Sequence, residues 1–187
     1  ERFLEEIFEK AEIEISIKTR IGKEHPDEFA RILEIYNKFP IKELIIHPRV
    51  QTDFYKNHPN LEVFQMALKT AKAPVCYNGD IFTVEDFRRF RREFPEADKV
   101  MLGRGLLRNP LLAEEIRKEM EQSDREPLAA RRGDIPAGPG GAGGDKERMK
   151  AFHDRLYGDY QSAMSGEKNV LFKMKEFWVY AGHSFPG

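Results

Sequence analysis

The residues best placed to do chemistry sit just past four apolar runs. They read Lys18-Thr19-Arg20, His47-Pro48-Arg49, Asn78-Gly79-Asp80 and Gly103-Arg104-Gly105. A run that only packs has no need of a polar or charged group at the same end each time, so the recurrence points to a ligand held there. In the last tail, Gly103 and Gly105 let a ligand approach the backbone and its N–H groups, and the Arg104 guanidinium can grip a phosphate with two parallel hydrogen bonds. A Gly-Arg-Gly triplet alone reads first as a glycine turn with a surface arginine. The neighbouring Asn78-Gly79-Asp80 tail favours a phosphate or ribityl site.

Two further groups have competing readings. Lys18 is either a lysine snorkelling at a strand end or a fixed positive charge beside a cofactor that becomes anionic. His47 is either a packed residue or a ligand contact. Beside Lys18 and Arg104, a ligand contact is favoured for His47. His25, His47 and His58 each precede a proline, but they lie far apart and lack cysteine or carboxylate spacing, so no metal site is expected. Cys76, between Val75 and Tyr77, reads as a small buried hydrophobe without a nucleophilic role. Arg88, Arg89, Arg91 and Arg92 form a solvated helix face balanced by Asp86 and Glu93. Lys173 and Lys175 flank a late apolar stripe, where solvation competes with contact to an RNA backbone.

The elements that must position these groups alternate. Residues 12–18 (EIEISIK) set Ile13, Ile15 and Ile17 against polar neighbours, a strand period. Helical spacing follows over 26–38, with Pro26 near its start. Residues 43–47 (ELIIH) form a second strand, 61–72 a helix, 74–77 (PVCY) a third strand closed by a turn tripeptide. Thr83 caps a helix over 84–94, with Glu85 and Asp86 in its first turn. Residues 99–102 (KVML) make a fourth strand, and 111–120 a helix after Pro110. Strands alternating with helices imply a parallel sheet, whose ligands bind at the carboxyl ends of the strands. Residues 122–145, with Pro127, Pro136, Pro139 and the run GPGGAGG, read as a linker. Beyond it two helices are expected. The first, over 146–164, carries Met149, Phe152, Leu156, Tyr160 and Ala163. The second, over 168–182, carries Val170, Leu171, Met174, Phe177, Trp178 and Ala181.

Composition limits the classes. The 187 residues hold 31 Lys and Arg against 32 Asp and Glu, a formal net charge of −1. That balance opposes bulk attraction to nucleic acid but leaves a local patch open. No apolar run approaches the roughly 18 residues of a membrane span. A single cysteine excludes an internal disulfide and fits a reducing compartment, so a cytoplasmic location is expected.

From Ile15 to Pro110 the chain resembles the tRNA-dihydrouridine synthases, flavin enzymes that reduce uridine in tRNA. The matching pieces are SIKTRIG, ELIIHPRVQTDFY, PVCYNGDI and VMLGRGLLRNP, in that order. The later FHDRLYGDY and NVLFKMKEFWVY look like the helical domain that follows the barrel in this family. The resemblance implies an α/β fold, a partial (β/α)8 TIM barrel with strands equivalent to five to eight, followed by a small α-helical domain. The implied boundaries are 1–121 for the C-terminal half of an FMN-binding barrel, 122–145 for a Gly/Pro-rich linker and 146–187 for a helical tRNA-binding domain.

It also implies roles for individual residues. Lys18 would contact the flavin ring and stabilise its reduced, anionic form, and His47 would hydrogen-bond the flavin. Asn78, Gly79 and Asp80 would line the ribityl and phosphate side, and Gly103 and Arg104 would bind the phosphate. Arg20, Arg49, Lys173 and Lys175 would contact RNA. Reduced FMN, supplied by NADPH, would pass a hydride to C6 of uridine, and a cysteine acid would protonate C5. Pro48 stands where the family commonly has glycine. The family's cysteine acid, first flavin loop and a glutamine contact belong to the first half of its barrel, and Cys76 lies on a different strand, so no catalytic residue is assigned. A barrel alone takes about 250 residues. The expectation is therefore half a barrel plus a helical module, inert by itself. The alternative is a non-catalytic half barrel that binds RNA or a partner. A dihydroorotate dehydrogenase-like flavoprotein is disfavoured by the helical tail.

Overall fold

The computed structural model describes residues 1–54, 56–125 and 142–184. It divides into two units, Glu1–Gly103 and Arg104–Gly187. Most of the expected linker over 122–145, namely residues 126–141, lies outside the described residues.

The first unit opens with helix α1 (Arg2–Lys10). Four strands follow, β1 (Ser16–Arg20), β2 (Glu43–His47), β3 (Val75–Tyr77) and β4 (Lys99–Val100). They are separated by α2 (Glu28–Tyr36), α3 (Leu61–Thr70) and α4 (Val84–Glu93). All three strand pairs are parallel, and the sheet order is β1-β2-β3-β4. The parallel α/β architecture expected from the alternation is thus present. The first strand lies further along the chain than its isoleucines suggest, because ladder pairing begins at Ser16 opposite Glu43, and Ile13 is left 79% exposed. As a result Lys18 sits mid-strand, and Arg20 occupies the tip beside His47. The fourth strand is shorter than expected, with one further backbone bond, Met101 N–H to the Tyr77 carbonyl at 2.7 Å.

One face of the sheet carries the core. Thr19, Ile46 and Tyr77 stand side by side in the register, and the helices pack on that side. Tyr36 of α2 donates to the Thr19 hydroxyl at 3.0 Å. Phe64 of α3 meets the Tyr77 ring edge-on at 4.8 Å, and Phe90 of α4 stacks on it at 4.2 Å. Leu44, Ile46, Phe29, Leu33 and Phe94 complete this buried layer. The opposite face carries Lys18, Ile45, Cys76 and Lys99 in one lateral row, and Arg20 with His47 at the tips. Helix starts follow the local chemistry. The Asn60 side chain accepts from Val63 N–H, and Thr83 with Asp86 forms the reciprocal capping box its spacing predicts.

The second unit contains α5 (Arg104–Arg108), α6 (Leu112–Arg125), α7 (Ala142–Ala163) and α8 (Glu167–Ala181). Helix α5 corrects the loop reading of Gly103-Arg104-Gly105, since Arg104 and Gly105 are helical and Gly105 is buried. Helices α6 and α7 run into the two ends of the expected linker. On α8 the buried stripe is Val170, Met174, Phe177 and Ala181, packed with Met149, Leu156, Tyr157 and Tyr160 of α7. Leu171 and Trp178, expected on that stripe, are 60% and 41% exposed. The spacing i, i+4, i+7, i+11 selects one narrow row, and these two lie beside it. Phe152 of α7 is 41% exposed, with its ring 5.8 Å from that of Phe177. No described helix is long and apolar enough to cross a membrane.

Candidate functional site at the strand tips

The carboxyl ends of the strands in the first unit are stitched together by backbone bonds. Ile21 N–H donates to the Arg49 carbonyl at 3.2 Å and Gln51 N–H to the Gly22 carbonyl at 2.9 Å, while Arg20 Nη1 reaches the Val50 carbonyl at 2.7 Å. Asn78 N–H donates to the Ile46 carbonyl at 2.9 Å, and its carboxamide Nδ2 to the Met101 carbonyl at 2.8 Å. Each tail is therefore held by the next strand, which brings His47, Arg49, Asn78, Asp80 and Arg20 into one cluster.

Arg49 organises that cluster. Its side chain is 2% exposed. Nη1 and Nη2 grip the Asp80 carboxylate at 3.2 and 2.5 Å, Nε donates to the Asn57 carbonyl at 2.7 Å, and Nη1 also lies 3.1 Å from His47 Nε2. An RNA contact expected for Arg49 meets a buried guanidinium already engaged on three sides, because the β2 and β3 tails fold over it. The pairing follows from the register: Ile46 and Tyr77 are partners, and Arg49 and Asp80 each lie three residues beyond one of them.

His47 is 6% exposed. Burial first, then the positive charges of Arg20, Arg49 and Lys18, push the imidazole down to about 4 against the opposing pull of Asp80. The ring is neutral at physiological pH. Lys18 is exposed on the face that carries His47 and Cys76. The charged groups acting on His47 include Arg20, Arg49, Lys18 and Asp80, and Asp80 is held by Arg49. The set suits an anionic ligand.

Gly79 has a purpose invisible in the sequence. A Cβ built there would lie 1.9 Å from the Tyr77 hydroxyl and 2.1 Å from its Cζ. The tail turns directly over the buried Tyr77 ring, and only glycine leaves room. Burial, followed by the Asp80 charge, pushes the Tyr77 phenol up. By contrast, a Cβ on the exposed Gly103 would meet nothing within 4 Å, so this backbone is open to close approach. Arg104 is half-buried at the start of α5, in the second unit. Cys76 is buried, its thiol is pushed up to about 11 by burial and then by Glu43, and its Sγ lies 3.9 Å from the Tyr77 carbonyl. On α8, Lys173 pairs with Glu176 at 2.8 Å and Lys175 is exposed. Among the described residues no group of three or more His, Cys, Asp or Glu could hold a metal ion.

A four-stranded parallel sheet with a buried histidine and a clamped arginine at its strand tips places the first unit in the parallel α/β class. The family model described as dihydrouridine synthase matches residues 1–135, and the chain belongs to that family. The tRNA-dihydrouridine(16) synthase of Pseudomonas putida is 32% identical over 119 residues, which cover 64% of this chain and 36% of that protein. A probable tRNA-dihydrouridine synthase of Aquifex aeolicus is 31% identical over 109 residues, covering 58% and 34%. The tRNA-dihydrouridine synthase B of Vibrio vulnificus is 23% identical over 185 residues, covering 94% of this chain and 52% of its own length. The matched region spans between about a third and a half of these relatives.

Proposed function

We propose that this chain is part of a flavin-dependent tRNA-dihydrouridine synthase and supplies half of its FMN site. The observation that carries the reading is the polar cluster within the family-matched segment, where Lys18 in mid-strand and Arg20 and His47 at the strand tips lie around one carboxylate held by Arg49. The fold supports the barrel part of the reading. In a doubly wound sheet strand order reverses and helices cover both faces. Here the order runs straight through, and α2, α3 and α4 use one face, as in an arc of a (β/α)8 barrel with residues 1–121 as its C-terminal half.

The residues present fit FMN by donor chemistry. Lys18 would hold the negative charge of the reduced ring, His47 would hydrogen-bond it, Asn78 and the Gly79-Asp80 backbone would line the ribityl chain, and Gly103 with Arg104 would bind the phosphate. When bound, FMN supplies hydride chemistry, with NADPH as the source of electrons and uridine in tRNA as the acceptor. Arg20, Lys173 and Lys175 would hold the RNA backbone, the last two from residues 146–187. Cys76, buried in mid-strand, is not placed to deliver a proton to substrate.

Titrating FMN into the 187-residue chain tests the site by flavin fluorescence. Saturable binding is expected, weakened at least about tenfold in Lys18→Met, the scale of one lost charge-assisted contact. Absence of saturable binding overturns the proposal. With NADPH, FMN and unmodified tRNA the chain alone should make no dihydrouridine, and product would overturn the assignment of the acid outside these residues.

A further inference from the structure

The histidine at the site is held by a group that can only donate. A guanidinium stays protonated in proteins and has no lone pair to offer. Arg49 Nη1 lies 3.1 Å from His47 Nε2, so Nε2 must accept. A neutral imidazole carries one ring proton, which then belongs on Nδ1. Arg49 cannot easily turn away, because Asp80 holds both its Nη atoms from the β3–α4 loop and the Asn57 carbonyl holds Nε from the β2–α3 loop.

We infer that Arg49 is a positioning residue that fixes His47 as its Nδ1–H tautomer, so that the ring presents a donor at Nδ1. Free imidazole side chains favour the opposite tautomer, with the proton on Nε2, so the arginine reverses the intrinsic preference. The positive groups around the ring, Lys18 and Arg20 from β1 and Arg49 itself, oppose a doubly protonated imidazolium, with Asp80 the opposing charge. For the flavin the consequence is specific: a fixed donor suits an acceptor atom of the ring and strengthens as that atom gains negative charge on reduction. The tautomer stands on the geometry alone, whereas its use on flavin rests on the function proposed above.

Nitrogen-15 NMR of the histidine-labelled 187-residue chain at neutral pH tests the inference, with the His47 signal assigned by its loss in His47→Gln. The wild-type spectrum should show Nδ1 protonated and Nε2 bare. A majority Nε2–H tautomer, or a charged ring, overturns the inference. In Arg49→Met the proton should move to Nε2 in most molecules, and an unchanged tautomer in a folded variant also overturns it. Should that variant not fold, Asp80→Asn decides together with the wild type, because it removes the charge of the clamp while the Asn57 carbonyl still holds Nε and keeps Nη1 beside Nε2. It should keep the wild-type tautomer, and a switch to Nε2–H would assign the effect to Asp80 and defeat the role given to Arg49. Adding FMN then separates the two claims. The Nδ1 proton should shift while Nε2 stays bare. A His47 that holds its tautomer but ignores FMN defeats the flavin reading alone, and one that responds to FMN from the Nε2–H form defeats the tautomer alone.

Discussion

The strand tips and the α7–α8 pair distribute polarity in opposite ways. At the tips, charge lies inside: Arg49 is 2% exposed and its guanidinium bonds to a carboxylate, an imidazole and a carbonyl. On α8, charge lies outside and apolar groups lie beside it. Lys173 and Glu176 pair in solvent one turn apart, and Leu171, Phe172 and Val179 are exposed around them. A buried pair is costly to break because the survivor is left unsolvated, while an exposed pair contributes about 0–1 kcal/mol and rearranges freely. The first arrangement specifies one geometry. The second is adaptable, and under the proposed function it would suit contacts to a backbone of repeating phosphates.

The contrast can be broken at its strongest point first. Arg49→Met should cost about 3–5 kcal/mol, read by urea unfolding, because Asp80 loses its partner beneath the loops. Asp80 is 25% exposed, which places the effect toward the lower end. Adding Asp80→Asn should recover part of the loss, and a double variant no better than the single would refute the pairing.

Acid comes next. His47 has a folded-state value of about 4 against 6.5 unfolded, so below 6.5 the unfolded chain takes up a proton that the folded one refuses. Its contribution is complete above that value and is lost as pH falls toward 4, by as much as about 3 kcal/mol. The difference between wild type and His47→Gln, measured across this window, isolates it. Parallel pH profiles for the two would refute it.

Gly79→Ala should cost about 1–3 kcal/mol through the clash with Tyr77. The cost should shrink in a Tyr77→Leu background, and equal costs in both would show that the ring is not the obstacle. The smallest effect belongs to the helical unit. Lys175→Ala should change stability by less than about 0.5 kcal/mol while lowering the salt dependence of tRNA binding by about one phosphate contact. An unchanged salt slope would remove Lys175 from the RNA surface.

Much of this was legible along the chain. The alternation around 43–47 and 74–77 announces parallel strands, and Thr83 with Asp86 announces the start of α4. Helix α5 was hidden, because Gly-Arg-Gly is a poor helix start by composition and is held there by the burial of Gly105. The isoleucine period of β1 starts before the residues that find a ladder partner, so periodicity alone does not locate its first residue. Periodicity marks α8 as apolar without showing how wide its partner is, so it does not separate Trp178 and Leu171 from the buried row.

Residue types and their order along the chain therefore determined the βα rhythm, the family and the set of tips at which ligand chemistry belongs. Only the tertiary structure decided which of those residues are buried and clamped by distant loops. Arg20 and Arg49 are the same residue type on neighbouring strands, one at the tip of β1 and the other two positions beyond the tip of β2. One lies beside the imidazole and the other beneath it, clamped by Asp80 from a loop 31 residues away. Local sequence carries propensity and period, but the burial of a charge depends on which distant backbone folds across it.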